Sequence, residues 1–142
     1  MKQAIIVDLD GTLAQIGDRN VYDAANCHVD TLNTPVALVL SSLVSSNPSF
    51  ITIICSGRNV DDKAATVAWL ENHGISYDYL FMRPSGDRRM DAIIKQEILF
   101  NQIFGDLAID EIVLALDDRQ QVVDMWRAHE IPCFQVNKSP DE

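Results

Sequence analysis

Two carboxylates, Asp8 and Asp10, stand two residues apart directly after the apolar run Ala4–Val7. A buried strand ending at this point would direct both side chains into one crevice. Carboxylates this close repel each other unless a cation lies between them or one holds a proton. The pair predicts a Mg²⁺ site with divided roles, in which one carboxylate is the nucleophile that forms an aspartyl phosphate and the other is the general acid. The alternative is a polar turn, because Asp and Gly are common in turns.

A second pair of acids, Asp117 and Asp118, follows the apolar run 112–116. Two adjacent acids at another strand end supply the further ligands that a Mg²⁺ site between two strands requires. One of them could instead cap the helix that begins here, but capping accounts for only one acid. We therefore expect Asp8, Asp10, Asp117 and Asp118 to bind one Mg²⁺.

Other residues offer groups suited to a phosphate. Ser56, Gly57 and Arg58 supply a hydroxyl, exposed backbone amides and a guanidinium, although such a tripeptide also occurs in turns for conformational reasons. Lys95 lies four residues after Asp91 on a predicted helix, so the two side chains can pair. A site holding several carboxylates and a phosphate needs this positive charge, whereas the alternative is a solvated surface pair.

The elements that position these residues alternate along the chain. Strands are predicted over residues 4–7, 50–55, 79–82, 112–116 and 133–136, the third being the weakest pattern. Helices are predicted over 35–44 with Thr34 as N-cap, from Asp61 and Asp62 to a stop at Gly74, and over 89–104 and 120–129. This order predicts an α/β fold: a Rossmann-like parallel sheet of about five strands, helices on both faces, and ligands beyond the carboxyl ends of the strands.

Composition limits the function further. The 142 residues are 47% apolar and 23% charged, which favours one compact domain over residues 1–142. The net charge of -10 opposes sequence-independent binding along a nucleic-acid backbone, though not the binding of one terminal phosphate. The sequence shows no signal peptide and no apolar run long enough for a bilayer, and Cys27, Cys55 and Cys133 form no disulfide pattern. We expect a cytoplasmic protein with no membrane contact.

Taken in order, the segment 8–12, Ser56, Lys95 and the pair Asp117 and Asp118 resemble the motifs of the haloacid dehalogenase superfamily of phosphotransferases. More narrowly, nearly the whole chain is similar to the 3′-phosphatase domain of phage-type polynucleotide kinase/phosphatases. The segments that carry this narrower likeness are Arg19 with Tyr22 and Asp23, residues 56–58, 69–70, 82–83 and 86–95, and above all 117–136.

The resemblance implies a role for each matching residue. Asp8 is implied as nucleophile, Asp10 as general acid and base, and Ser56 and Lys95 as phosphate-binding residues. The implied Mg²⁺ ligands are Asp8, Asp10, Asp117 and Asp118. Arg19, Arg58 and Asp91 match residues on which the family's phosphatase activity depends, Asp91 in a supporting role. The residues expected to bind the substrate are Arg19, Arg58, Gly57, Thr12 and Arg83.

The implied reaction is hydrolysis of the 3′-phosphate from DNA or RNA ends, with 3′-phosphorylated nucleotides as a further candidate substrate. The spacing between the motifs leaves no room for a large cap domain, so the crevice would admit a polymer end. Five arginines, Arg19, Arg58, Arg83, Arg88 and Arg89, are expected to form a positive rim around it. No Gly-rich phosphate loop is present, so no kinase domain is expected, and a separate kinase or ligase becomes a candidate partner.

Two other functions fit the same residues. One is a phosphatase for a small phosphorylated metabolite or a phosphoprotein. The other is a non-catalytic module that binds nucleic-acid ends. The retained acids argue against the second, because each position expected to act in catalysis holds a suitable residue.

Overall fold

A computed structural model describes residues 2–141. Its strands, in chain order, are β1 (Ala4–Val7), β2 (Ala14–Gln15), β3 (Thr31–Leu32), β4 (Ile51–Asn59), β5 (Tyr79–Arg83), β6 (Ile112–Asp117) and β7 (Cys133–Gln135). Five of them form one parallel sheet in the order β5-β4-β1-β6-β7. The other two, β2 and β3, form a small antiparallel hairpin.

The helices alternate with the strands of the large sheet. The α-helices are α1 (Thr34–Ser46), α2 (Lys63–Asn72), α3 (Asp91–Ile98), α4 (Phe104–Asp106) and α5 (Gln120–Ala128). Short 3-10 helices cover Ala24–Val29, Val60–Asp62 and Ile109–Glu111, and a π-helix covers Leu99–Ile103. The predicted α/β order is therefore confirmed.

The central strand β1 contributes side chains to both faces of the sheet. Ala4 and Ile6 lie in a core with residues of α3 and α5. Ile5 and Val7 lie in a second core with residues of α1 and α2. Because alternate residues of a strand point to opposite faces, a strand that is apolar throughout must be covered on both sides. The helices on both faces of the sheet confirm that expectation.

Several predicted element boundaries need correction. Helix α1 begins at Thr34, so its N-cap is Asn33 and not Thr34. The side chain of Asn33 donates to the Thr12 carbonyl instead of capping the helix. The predicted helix 89–104 begins at Asp91 and continues as the π-helix Leu99–Ile103. At Gly74, φ is +68°, as expected for a left-handed residue that follows a helix.

Strand β4 is longer than predicted. The prediction ended the strand at Cys55 and placed Ser56, Gly57 and Arg58 in a turn, whereas β4 continues to Asn59. The register against β5 shifts between Cys55 and Asn59, so these three residues form an irregular strand end. Bulged strand ends redirect side chains beside many active sites.

No large cap covers the sheet edge within the part of the chain that the structure describes. The hairpin β2–β3 and the 3-10 helix Ala24–Val29 fill the space between β1 and α1. Helix α2, strand β5 and a loop fill the space between β4 and α3. The predicted absence of a large cap is confirmed. Among residues 2–141, no helix combines the length and the apolar character needed to span a bilayer.

Candidate active site

A crevice of about 1120 Å³ opens at the carboxyl ends of β1, β4 and β6. Parallel strands end at the same edge of a sheet, which is where α/β proteins bind ligands. Asp8 follows β1, Arg58 belongs to the irregular end of β4, and Asp117 ends β6. These three residues are far apart in sequence and all line the crevice.

One group of side chains, the acid cluster, consists of Asp8, Asp117, Asp118, Lys95 and Thr12. Asp8, Asp117 and Asp118 are buried, and each offers a carboxylate oxygen that lies within 4.8 Å of the other two. The Asp117 carboxylate also accepts the backbone N–H of Asp118 at 2.9 Å, which holds it at the end of β6.

Lys95 provides the positive charge of the acid cluster. Its side chain is only 2% exposed, and its Nζ donates to Asp8 Oδ1 at 2.7 Å and to Asp117 Oδ2 at 2.8 Å. The lysine therefore ties the end of β1 to the end of β6. One ammonium cannot neutralise three carboxylates, so the acid cluster retains an excess of negative charge.

Burial and mutual repulsion change the proton affinities in the acid cluster. Burial, together with the charge of Asp117, raises the pKa of Asp8 well above its ordinary value despite the opposing effect of Lys95. Burial and Asp117 likewise raise the pKa of Asp118. Burial alone would lower the pKa of Lys95, but Asp117 and Asp8 hold it well above its ordinary value.

Thr12 and Gly11 pack closely against the carboxylates of Asp8 and Asp118. The Thr12 hydroxyl lies 3.0 Å from Asp8 Oδ2 and 3.4 Å from Asp118 Oδ1, and its side chain is completely buried. This position suits alignment of Asp8, and the expected contact of Thr12 with the substrate stays a prediction. Gly11 has φ +82°, and a Cβ there would overlap the Asp118 carboxylate.

A second group, the arginine cluster, consists of Asp10, Asp30, Arg19 and Arg58. Arg58 donates to Asp10 from Nη2 at 2.6 Å and from Nε at 3.0 Å. Arg19 Nε and Nη2 donate to the two oxygens of Asp30 at 2.9 and 2.8 Å, and the same Nη2 reaches Asp10 at 3.2 Å. The Arg19 and Arg58 side chains are 3% and 1% exposed, so both are buried beside Asp10, and Arg58 also lines the crevice.

Asp10 is thereby separated from the acid cluster. Both Asp8 and Asp10 line the crevice, as their spacing indicates. The Asp10 carboxylate, however, does not belong to the group of oxygens formed by Asp8, Asp117 and Asp118. Three of the four predicted ligands therefore meet in one group, while the Asp10 carboxylate is held by Arg58 and Arg19, and its role as a Mg²⁺ ligand stays a prediction.

Asp30 is a site residue that sequence reasoning missed. Its side chain is fully buried and also accepts from Arg58 Nη2 at 3.2 Å, while its carbonyl accepts the Trp69 indole N–H at 3.1 Å. Asp30 lies in a loop outside any motif. The sequence signal that could have found it is charge balance, because two buried arginines require more than one acid.

Asp91 has different partners from those expected. Its carboxylate accepts from Arg83 Nη2 and, at 2.8 Å, from Arg119 Nη1. The predicted pairing with Lys95 is wrong, because the Lys95 ammonium points to Asp8 and Asp117. Arg83 also donates to the Gly57 carbonyl at 2.8 Å, so Asp91 and Arg83 brace the end of β4.

The residues 56–58 differ in their exposure to the crevice. Ser56 is buried, and its Oγ accepts the Arg58 N–H at 3.1 Å, so its hydroxyl is not at the open surface. Gly57 lines the crevice, and a Cβ there would lie 2.6 Å from an Asp91 oxygen. Gly57 is therefore required by the close approach of Asp91.

Four of the five arginines expected to form a positive rim line the crevice, namely Arg58, Arg83, Arg88 and Arg89, whereas Arg19 does not. Arg19, Arg58, Arg83 and Arg89 all form salt bridges with acids of this chain. Arg88 lines the crevice, is exposed, and forms no salt bridge with a residue in the range 2–141. Among these arginines, Arg88 is therefore the one whose charge is not offset by an acid within residues 2–141.

The donor chemistry of the acid cluster fits a hard divalent cation. Its three carboxylates are oxygen ligands of the kind that Mg²⁺ prefers, and neither sulfur nor imidazole belongs to the group. The excess negative charge and the raised pKa values of Asp8 and Asp118 show that a cation would relieve repulsion there.

Residues 2–140 match the family described as the polynucleotide kinase PNKP phosphatase domain. The chain is 41% identical to a protein solved in a Pnkp1/Rnl/Hen1 complex, with a TM-score of 0.90 over 99% of this chain and 47% of that one. A protein of Autographa californica nuclear polyhedrosis virus, assigned as a bifunctional polynucleotide kinase/RNA ligase, is 33% identical over 92% of this chain and 18% of its own length.

The fold alone is shared more widely. A haloacid dehalogenase-like hydrolase from Streptococcus pneumoniae has a TM-score of 0.60 at 14% identity, over 93% of this chain and 83% of that one. The chain spans less than half the length of the two proteins with the higher identities. From the match over nearly all its residues, this chain belongs to the phosphatase-domain family of polynucleotide kinases, within the haloacid dehalogenase-like fold.

Proposed function

We propose that this chain hydrolyses the 3′-phosphate from DNA or RNA ends through an aspartyl-phosphate intermediate. The observation that supports this most strongly is the different surroundings of Asp8 and Asp10. Asp8 is held by Lys95 and Thr12, whereas Asp10 is held by two arginines. Two carboxylates in different environments are suited to act as nucleophile and as general acid and base.

In the first step an Asp8 oxygen attacks phosphorus, the bond from phosphorus to the 3′-oxygen breaks, and Asp10 donates its proton to that oxygen. In the second step water attacks the aspartyl phosphate, Asp10 accepts the water proton, and phosphate leaves from Asp8. Arg58 and Arg19 hold the Asp10 carboxylate in position.

The acid cluster supports a Mg²⁺ requirement for this reaction. Asp8, Asp117 and Asp118 would hold the ion. When bound, Mg²⁺ supplies positive charge that offsets the repulsion between Asp8 and an incoming phosphate. Lys95 contributes a second positive charge beside the nucleophile, and Thr12 fixes the orientation of Asp8.

The open crevice supports a polymeric substrate. Without a large cap, a nucleic-acid strand can leave the crevice while its terminal phosphate reaches Asp8. Exposed Arg88 is suited to a phosphate of the strand next to the terminal one, since it has no acidic partner within residues 2–141. Arg83 and Gly57 contribute to the wall that brackets the substrate.

The partners of this chain are inferred from its relatives, and its cellular compartment from its cysteines. A relative was solved with Rnl and Hen1, and another is assigned as a polynucleotide kinase/RNA ligase, which supports action beside a kinase or ligase, as part of the same polypeptide or as a separate one. The three cysteines, Cys27, Cys55 and Cys133, are free and buried, which supports a reducing, cytoplasmic location.

The test compares turnover of three substrates with Mg²⁺: an oligonucleotide with a 3′-phosphate, the same oligonucleotide with a 5′-phosphate, and a sugar phosphate. We expect a preference for the first, and no turnover of any substrate by Asp8→Asn. Preferential turnover of the sugar phosphate would favour a metabolite phosphatase. Binding of oligonucleotide ends without turnover by the unaltered chain would favour the non-catalytic module.

A further inference from the structure

Tyr22 is an aromatic side chain in an unusual position. It is 92% exposed, so its ring contributes almost nothing to the core, yet it lines the crevice that contains Asp8. Single exposed apolar residues are common on proteins, but Tyr22 is adjacent to Val21, which is 46% exposed and lines the same crevice. The two side chains give this wall of a highly charged crevice an apolar surface.

The backbone around Tyr22 is fixed to the arginine cluster. Arg19 Nη1 donates to the carbonyls of Asn20 and Val21 at 3.1 and 3.3 Å. The Tyr22 N–H donates to the Asn20 side chain at 2.8 Å. Since Arg19 also contacts Asp10, the position of Tyr22 is tied to that of the general acid. The ring is free while its attachment is held, which suits a ligand-binding surface.

The chemistry of this wall indicates what it would contact. A phenol ring offers a flat π face and no positive charge, so it is suited to a planar group and not to a phosphate. The proposed substrate carries such a group on the same nucleotide as the phosphate, namely its base. Every base has a π face, so stacking on an aromatic ring binds nucleotides with little preference for sequence.

We propose that Tyr22 stacks on the base of the nucleotide that carries the scissile 3′-phosphate, an inference that rests on the proposed function. The charge of the protein favours this mode of binding. At a net charge of -10 and with most crevice arginines already paired, electrostatic attraction to a nucleic-acid backbone is weak. Stacking adds affinity without requiring further positive charge.

The test uses two oligonucleotides with a 3′-phosphate, one ending in an ordinary nucleotide and the other in an abasic one. Tyr22→Ala should raise KM for the ordinary end on the order of 10-fold and leave kcat unchanged. It should leave KM for the abasic end unchanged, and Tyr22→Phe should behave as the unaltered protein does on both. Phe134→Ala is the matched control, since Phe134 is 62% exposed and does not line the crevice.

The inference is overturned if Tyr22→Ala changes KM equally for both ends, or changes neither. An effect of equal size in Phe134→Ala would also overturn it. The proposed function is judged separately, from the unaltered protein. If the unaltered protein hydrolyses neither of the two 3′-phosphorylated ends, both proposals are wrong. If it hydrolyses them and Tyr22→Ala leaves KM unchanged, only the stacking role of Tyr22 is wrong.

Discussion

The acid cluster and the arginine cluster lie side by side in one crevice and differ in charge balance. In the acid cluster, three carboxylates face a single ammonium from Lys95. In the arginine cluster, two carboxylates face two guanidinium groups, so the charges balance within the protein. The first arrangement keeps an excess of negative charge, and the second does not.

This difference explains how two acids only two residues apart can have separate roles. Asp8 belongs to the unbalanced cluster and is aligned by Lys95 and Thr12. Asp10 belongs to the balanced cluster and is oriented by Arg58 and Arg19. Position in sequence brings both acids to the crevice, but their neighbours from other elements determine what each can do.

The largest expected effect is a difference between Asp8→Asn and Asp10→Asn in how much kcat falls. Asp8→Asn removes the proposed nucleophile and should lower kcat at least about 10³-fold for every substrate. Asp10→Asn removes the proton donor, so it should cost about 10²-fold on an oligonucleotide, which has a poor leaving group, and far less on nitrophenyl phosphate. Steady-state kinetics with both substrates measure the difference.

Equal losses on the two substrates for Asp10→Asn would contradict the division of roles. Circular dichroism of both variants is the control, since loss of fold would also abolish turnover. If the Asp8→Asn protein retained its full rate, Asp8 could not be the nucleophile.

The next effect concerns the internal balance of the arginine cluster. Asp30→Ala leaves two buried guanidinium groups with Asp10 as their remaining carboxylate, and should lower the free energy of unfolding by about 3 kcal/mol. It should also lower kcat, because Asp30 holds Arg19 through both of its carboxylate oxygens and the loss of these contacts would shift the guanidinium groups that orient Asp10. Urea unfolding measures the first effect. Asp87→Ala, which removes a partner of exposed Arg89, is the control and should have little effect.

The fold follows from sequence more fully than the arginine cluster does. The run Ala4–Val7 indicates a central strand because it is apolar on both faces, and the acids that follow it mark the ligand-binding edge. These signals are local. Asp30 has no local signal, since its importance comes from contacts with Arg19 and Arg58, which lie 11 and 28 residues away.

Two misassignments have the same origin. The spacing of Asp91 and Lys95 favours a helical pair, but Lys95 binds Asp8 and Asp117 instead. Burial explains this, because an ammonium removed from water is most stable between two carboxylates. Ser56 to Arg58 reads as a turn, but β4 continues through it with a register shift against β5. In both cases tertiary contacts override the local pattern.

A smaller effect should appear in metal-free stability. Because the pKa values of Asp8 and Asp118 are raised in the folded state, the free energy of unfolding should fall as pH rises above about 4. Asp118→Asn removes part of the repulsion, so in EDTA its Tm at pH 7 should exceed that of the unaltered protein by about 3 °C. At pH 4 the gain should largely disappear.

Asp10→Asn is the matched comparison for this experiment. It weakens the balanced arginine cluster, so its Tm in EDTA should fall at pH 7. If Asp10→Asn and Asp118→Asn changed Tm in the same direction, the two clusters would not differ in charge balance as described.

The smallest expected effect tests charge outside both clusters. Arg88 has no acidic partner within residues 2–141, whereas Arg89 binds Asp87 and Glu97. Arg88→Ala should raise KM for a 3′-phosphorylated oligonucleotide a few-fold at low salt. It should also lower the slope of log KM against log salt concentration by about one, as expected for the loss of one phosphate contact. Arg89→Ala should change KM less. The reverse order would show that the paired arginine is the one that contacts substrate.

The most direct test of the central difference between the clusters is Mg²⁺ binding, measured by titration calorimetry on the unaltered chain, Asp10→Asn and Asp118→Asn. If Asp8, Asp117 and Asp118 hold the ion, Asp118→Asn should weaken binding at least about tenfold, while Asp10→Asn stays within about threefold of the unaltered chain. Equal loss of Mg²⁺ binding in the two variants would contradict the separation of Asp8 from Asp10 into different clusters.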